Sequence, residues 1–597
     1  MSRSESGMQR AERYVAAINA STDKNFLYKE SRPIYNIKQM MESTAAMYPD
    51  NNAFWQKFPG EVEYTPITYK KVIEQMNSLG TAFRKRGFTD KRIGIIGENC
   101  YYWALSYLAI LCGVGVIVPM DKELSDEALR DLVVRSNVSA VMCTPKYRER
   151  FAKMVEDGVG KLETVMDFYA EEHEGCVLSL ERLLEEGKKE IDAGNTEYMD
   201  VEIDEDAMSV LLFTSGTTGA AKGVMLSHWN LCSDLMSAPN LLQVLPSDLF
   251  FSVLPLHHTY ECTCGFLMPM YKGAGVGYCE GLKHVQKNLK ELQPTFLLAV
   301  PLLFESFYNA IWKNIRKQGK EKAVNTILKI NRFTNKFGVN IAQKLLKDVI
   351  AAFGGNMDVL ISGGAAIDPA ILDFFNELGF QAVQGYGLTE CSPMAALNPD
   401  RHGMMISSSV GHFLPNQQVK IVDKSEDGIG EICIKGDNVM LGYYEMPEET
   451  ERSIIDGWFH TGDLGYVDDG GFIYITGRKK NVIITRNGQN VYPEELEYLL
   501  QRSKFISECM VWAGSDDRGY DSVIIATIKP DMEEVESELG EAAADPAAVE
   551  KLIGEVVDEV NDAQPLYKKI VRFTVRQDDF DKTTGKKIKR FSEENKR

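Results

Sequence analysis

The chain has 597 residues, 44% hydrophobic and 25% charged, a balance that excludes a disordered, collagen-like or disulfide-scaffolded protein. Its 86 acidic residues against 66 basic ones leave a net charge of −20, which excludes a general nucleic-acid binder built on a dominant basic field. The 11 cysteines are scattered, with only Cys262 and Cys264 close together, and read as buried free thiols of a reducing compartment.

The N-terminal stretch MSRSESGMQRAERY has no apolar core, so no signal peptide is expected and a cytoplasmic location follows. Residues Asn99 to Met120 carry no charge and pass the length test for a membrane span. Gly113, Gly115 and Pro119 interrupt them, so the reading is a buried helix to about Leu111 and then a short strand. MSVLLFT (208–214) is a strand, a Gly/Thr loop and the short strand GVML follow, and Ser227 caps a helix. LFFSVL (249–254), TFLLAV (295–300), MDVLI (357–361) and FQAVQ (380–384) are further buried strands. Pro301 and Asp368-Pro369 open helices after the second and third. Strand, loop and helix in repetition predict an α/β fold with layered, mostly parallel sheets.

After about residue 400, VKIVD, GEICIK, GFIYIT and NVIIT are short strands between Gly/Asp turns, predicting a small β-barrel-like subdomain. Pro493 opens the helix EELEYLLQRS, SVIIATIK is a strand, and a Glu/Ala-rich helical stretch follows. The predicted division is an N-terminal extension (1–35), a large domain (36–479) and a small α+β C-terminal domain (480–597). Between Lys313 and Lys347 ten Lys/Arg face one acid, Glu321. That island is either a solvated helix face or a surface for anionic lipid head groups.

Five segments carry chemistry. In TSGTTGAAKGV (214–224) four hydroxyls, three glycines and Lys222 follow a buried strand; glycine backbone and hydroxyl donors with one cation make a phosphate cradle. It is not a Walker A loop, since Ala221 and Gly223 stand where glycine and Ser/Thr are required. In GYGLTE (385–390) the glycines around Tyr386 let its ring lie against a planar base, and Thr389 and Glu390 offer hard oxygens for Mg²⁺. In GWFHTGDLG (457–465) Asp463 sits between glycines in a turn, where a carboxylate accepts ribose hydroxyls. TGRKKNVIITRNGQNVYPEELE (476–497) and DKTTGKKIKR (581–590) are basic and glycine-containing.

These segments, in this order, resemble the adenylate-forming superfamily of acyl-CoA synthetases, luciferases and peptide-synthetase adenylation domains, from about Asn36 to the C-terminus. QPTFLLAVPLLFE, LISGGAAIDP, GDNVMLGYYEMPEET and DGWFHTGDLG are most similar to the long- and medium-chain fatty acyl-CoA synthetases. The resemblance implies a two-step ligase: ATP and a fatty acid give an acyl-adenylate and pyrophosphate, then the thiol of coenzyme A displaces AMP. Mg²⁺ would assist. An acyl carrier protein as acceptor, an aryl acid as substrate, a catalytically silent binding relative and a luciferase are the alternatives.

By the same resemblance Thr214, Ser215, Gly216, Thr217, Thr218 and Lys222 form the phosphate loop, and Gly363, Gly364 and Ala365 line the adenine and acyl pocket. Tyr386, followed by Gly387, stacks on adenine, Thr389 touches the α-phosphate, Glu390 binds Mg²⁺, and Asp463 and Arg478 hold the ribose. His258, with His257 beside it, lies near the reacting carboxylate. Lys587, between Lys586 and Lys589, bridges carboxylate and α-phosphate. Lys480 is the hinge about which a mobile C-terminal domain turns between half-reactions, and Gly488 belongs to the thioester-forming step. The sequence departs from the pattern at Gly585-Lys586-Lys587, where S-G-K is commoner, and in T-R-N-G-Q-N-V-Y-P, one residue longer than in many relatives.

Overall fold

The apolar runs read from the sequence become the inner strands of two large sheets. The computed structural model describes residues 5–214, 221–334, 340–401, 403–415, 417–485, 489–515, 523–583 and 587–597. One sheet has nine strands, and its centre is parallel: Val359–Ser362, Phe296–Ala299, Leu249–Ser252 and Gly275–Tyr278 lie side by side, flanked by Gln381–Gly387 and Asn52–Gln56. The other has eight strands around Lys91–Ile96, Gly115–Pro119 and Met208–Thr214. Strands buried on both faces have no polar side to alternate, which is why they read as continuous Val/Ile/Leu/Phe runs.

The uncharged stretch 99–120 is the helix Tyr101–Leu111 followed by the strand Gly115–Pro119. Every helix residue but Tyr102 is buried, so the segment is apolar all round because protein surrounds it on all sides. Among the described residues no helix is long and apolar enough to cross a membrane. Ser227 caps its helix by a reciprocal bond with Asn230, and Asp368 caps Pro369–Leu378 by accepting from the Ala370 amide. The N-terminal extension packs onto the large unit. Its helix Gly7–Asn19 places Arg10 on Asp206 at 2.7 Å and over the Trp229 ring, while Tyr14 meets the Ser237 hydroxyl.

Two expectations need correction. Gln418–Val422, Gly430–Lys435, Ile454–Ile455, Trp458–Val467 and Ile473–Arg478 form an open five-stranded antiparallel sheet, not a closed barrel, while Ile483–Ile484 of the segment NVIIT pairs separately with Asn490–Val491: Gln418–Val422 stays an edge, since Ile454–Ile455 is two residues long and Ile473–Arg478 pairs only with Trp458–Val467 among the described strands. Asp463 lies inside the ten-residue strand Trp458–Val467, not in a turn. Neighbours on both sides pair with that strand although Gly462 has a φ of +70°, and register shifts at Glu431/Cys433 and Leu464/Gly465 absorb the irregularity.

Residues after 480 build a separate apolar cluster. Ile483, Leu496, Val511, Ala526, Ile553 and Ile570 pack together where the helices Pro493–Gln501 and Pro546–Asp562 cover the strands Ile506–Gly514, Val523–Pro530 and Arg572–Val575. All 11 cysteines are free; eight are buried, and Cys176, Cys264 and Cys279 are half-buried.

Candidate active site

A crevice of about 3330 Å³ opens between the large unit and the C-terminal segment, at the carboxyl ends of the parallel strands. That is where loops leave an α/β sheet and ligands bind. Thr214, Lys222, His258, Gly363, Gly364, Ala365, Tyr386, Gly387, Thr389, Glu390, Asp463, Arg478, Lys480 and Lys587 all line it, although 373 positions separate the first from the last. Ser215, Gly216, Thr217, Thr218 and Gly488 lie outside the described residues, as does Lys586.

The strands Met208–Thr214 and Lys222–Ser227 pair antiparallel with Thr214 opposite Lys222. That pairing delivers the Lys222 ammonium to the crevice. Lys222 Nζ stands 2.6 Å from Glu449 Oε2 and 4.8 Å from the Tyr443 ring centre. The Tyr443 hydroxyl in turn donates to Glu390 Oε1 at 2.9 Å. Lys222 holds the Glu449 carboxyl below its usual range.

The second group is built on Asp463. Its side chain is buried, Arg478 Nε stands 2.7 Å from Oδ1, and the Tyr386 hydroxyl donates to Oδ2 at 2.6 Å. Burial pushes the Asp463 carboxyl up, against the pull of Arg478, Tyr386 and Lys587. Gly387 is required by close approach: a Cβ there meets the Pro393 carbonyl oxygen at 2.1 Å. Gly363 likewise lies against the Tyr260 ring, 2.9 Å from where its Cβ would stand, and the Tyr260 hydroxyl donates to the Ile361 carbonyl.

Lys587 remains solvent-accessible inside the crevice. The surrounding walls and Arg478 lower its pKa, and Asp463 opposes them. Its charge also reaches His258, whose pKa falls mainly through desolvation. His257 is buried behind it, with the ring centres 4.2 Å apart, and burial drives its pKa to about 3. The Lys587 segment is held from within the C-terminal unit, where the Arg590 guanidinium forks onto the buried Glu497 carboxylate. Lys480 sits in the short turn Lys479–Asn481, and Lys479 Nζ binds Glu431 Oε2 at 2.8 Å.

Sequence reasoning did not single out Tyr443, Glu449, Tyr260, Glu431 or Arg590. The segment GDNVMLGYYEMPEET carried the signal for the first two, but their partners are fixed only by the fold. Away from the charged groups the crevice walls turn apolar, with Ala238, Pro239, Leu242, Met268 and Leu298. Thr389 and Glu390 present a hydroxyl and a carboxylate on the same short turn, a hard-oxygen pair that fits Mg²⁺.

A family model described as AMP-binding enzyme matches residues 41–444. Long-chain-fatty-acid–CoA ligase 1 of Homo sapiens is 29% identical over 500 residues, covering 79% of this chain and 70% of that protein. Long-chain-fatty-acid–CoA ligase 5 of Rattus norvegicus is 30% identical over 511 residues, covering 79% and 72%. Among solved structures, an anthranilate CoA ligase in complex with anthranoyl-AMP superposes with a TM-score of 0.72 at 19% identity, covering 93% of this chain and 96% of that one. ATP-bound MatB from Rhodopseudomonas palustris gives 0.69 at 22% identity, covering 93% and 97%.

Proposed function

The chain belongs to the AMP-binding enzyme family, and from that premise we propose that it is an AMP-forming fatty acyl-CoA synthetase acting on medium- or long-chain acids. The observation that carries the reading is the convergence of Lys587, Arg478, Asp463, Tyr386 and Glu390 on one crevice that also has apolar walls.

ATP and coenzyme A are the co-substrates. In the first step a carboxylate oxygen of the acid attacks the α-phosphorus, the new C–O–P linkage forms, and the bond to pyrophosphate breaks. Both partners are anionic, so a cation between them lowers the barrier; Lys587 supplies it, with Lys222 on the phosphates. Asp463 and Arg478 hold the ribose and Tyr386 the adenine, which turns an encounter into a fixed geometry. Thr389 and Glu390 would hold Mg²⁺, which neutralises phosphate charge when bound. His258 lies at the carboxylate end. In the second step the coenzyme A sulfur attacks the acyl carbon, AMP leaves with the electron pair, and Gly488 belongs to this stage. No nucleophile of the protein is consumed. Residues 36–479 serve as the adenylation domain, 480–597 as a unit that turns about Lys480, and 1–35 as an extension packed on the first.

Product analysis tests this. Protein, ATP, Mg²⁺, coenzyme A and acids from acetate to oleate with a few aryl acids should yield acyl-CoA and AMP in equal amount, with fatty acids preferred. Adenylate without thioester would transfer the reading to a carrier-protein acceptor, an aryl thioester to an aryl-acid ligase, and neither product to a silent binding protein.

The basic island adds a peripheral contact with anionic membranes to the proposal. Ile330, Phe333 and Leu345 are exposed among its lysines, and Ala323, Val324 and Ile327 of the same helix line the crevice. Charge complementarity and exposed apolar groups together favour a lipid surface. Changing Lys320, Lys322, Lys329 and Arg332 to glutamate should reduce sedimentation with phosphatidylserine vesicles while turnover of a soluble short acid persists. Undiminished sedimentation would remove the membrane contact.

A further inference from the structure

On the wall of the crevice, His258, the group assigned to the acyl carboxylate, stands with a second imidazole and a carboxylate in a set whose combined chemistry the ligase reaction does not use. One ligand atom from each of Asp121, His257 and His258 lies within 4.8 Å of the other two, and all three residues line the crevice. His257 Nε2 is 3.4 Å from Asp121 Oδ1. Two donors each ~2.1 Å from one tetrahedral ion stand ~3.4 Å apart, so this pair already has ligand spacing. His258 projects from the next position, its ring 4.2 Å from that of His257 and tilted by 46°, and a turn of its exposed ring closes the set.

A second observation points to a ligand. His257 is 9% exposed and its Nε2 has no hydrogen-bond partner. A buried ring nitrogen left in this way is under-satisfied, and a metal ion is one of the few groups that fits between it and a carboxylate 3.4 Å away. We propose that Asp121, His257 and His258 form a binding site for a divalent transition-metal ion of the zinc type, separate from the Mg²⁺ position at Glu390. Two imidazoles and one carboxylate select zinc, cobalt or nickel over the hard, oxygen-preferring magnesium. Three protein ligands leave a fourth position open toward the crevice, as in sites that take water or an anion.

The consequence for the ligase rests on the function proposed above. Lys587 already acts on His258 through its charge, so a dication there repels Lys587 and occupies the side chain nearest the acyl carboxylate. Zinc at this site therefore inhibits adenylate formation, and a chelator restores it.

The binding claim is tested without turnover. The metal-free full-length protein is titrated with Co²⁺ and the visible absorption followed, then Zn²⁺ is added in competition. The expected result is one saturable equivalent with a tetrahedral or five-coordinate d–d spectrum lacking thiolate charge-transfer bands, displaced by Zn²⁺ and not by Mg²⁺. Asp121→Asn and His257→Gln should each weaken binding at least tenfold, with circular dichroism and melting curves showing that both variants fold. No saturable equivalent, unchanged binding in both variants, or a thiolate band assigning the ion to a cysteine would each overturn the proposal. A protein that binds Co²⁺ as described yet, stripped of it by a chelator and given Mg²⁺, ATP and a fatty acid, makes no acyl-adenylate would leave the site standing and overturn the ligase reading instead.

Discussion

Lys587 and Lys222 carry the same charge into the crevice and meet different surroundings there. Lys587 faces Arg478 and the crevice walls, which favour its neutral form, with Asp463 as the opposing anion. As the proposed cation of the first step it has to be protonated, so adenylate formation should decline as pH rises through its lowered pKa. Lys587→Ala should cut pyrophosphate release by about 10²–10³-fold while preformed acyl-adenylate still reacts with coenzyme A. Lys587→Arg, whose guanidinium stays charged, should lose the alkaline decline; an unchanged pH profile in that variant would assign the titration to another group. Lys222 is instead balanced by Glu449 at 2.6 Å, a partner that an incoming phosphate must replace. Both side chains are partly exposed, about a quarter each, so the exchange is worth at most about 1 kcal/mol. Glu449→Gln should therefore lower the KM for ATP by up to about fivefold with kcat little changed, measured by steady-state kinetics at saturating acid; an unaltered KM would mean that the pair does not compete with ATP. The motifs made the lysines legible from sequence, but not these partners. Glu449 lies 227 positions from Lys222, and no local pattern marks a residue for a contact made only in the folded chain.

At the scale of elements, legibility followed burial. Met208–Thr214, Phe296–Ala299 and Val359–Ser362 read correctly because sheets covered on both faces need unbroken apolar runs. The sequence suggests a turn at Asp463 because Gly462 and Gly465 carry the local signal of one. Pairing with Gly430–Lys435 on one side and Ile473–Arg478 on the other overrides that signal. The π-helical turn Tyr260–Leu267 has no sequence mark; it brings the buried Glu261 against Gly265, where a Cβ would stand 2.8 Å from the carboxylate. The C-terminal unit shows how one element positions another. Helix Pro493–Gln501 supplies Glu497, buried and doubly engaged by Arg590, three residues beyond Lys587. Removing the guanidinium strands a buried carboxyl, a change that costs about 3–5 kcal/mol. Arg590→Ala should lower the denaturant midpoint of the C-terminal unit ahead of the large one and abolish the first half-reaction. Arg590→Lys, keeping charge without the fork, should recover part of both. A wild-type unfolding curve for Arg590→Ala would show that the ion pair does not hold the segment.

Among the described residues, the C-terminal apolar cluster and the large unit are joined by weak polar links. Between the large unit and the residues after 480, the Tyr498 hydroxyl donates to Asp368 Oδ1 at 3.0 Å, and Lys313 meets Glu533 at 2.5 Å with both side chains more than half exposed. Contacts this exposed are screened by solvent and contribute little. An interface of this strength suits the proposed turning of the C-terminal unit between half-reactions, since a strongly bonded interface would slow release. The arrangement described has Lys587 in the crevice, the one that the proposed role of Lys587 in adenylate formation needs. Deleting links particular to it should shift the population away without touching the chemistry of either step. Lys313→Ala combined with Tyr498→Phe removes both, for an expected shift of at most about tenfold. Pyrophosphate release in single-turnover mixing should slow by about that factor, and thioester formation from isolated acyl-adenylate should be unchanged or faster. Equal slowing of both half-reactions would mean that these contacts stabilise the molecule as a whole and not one of its two working arrangements.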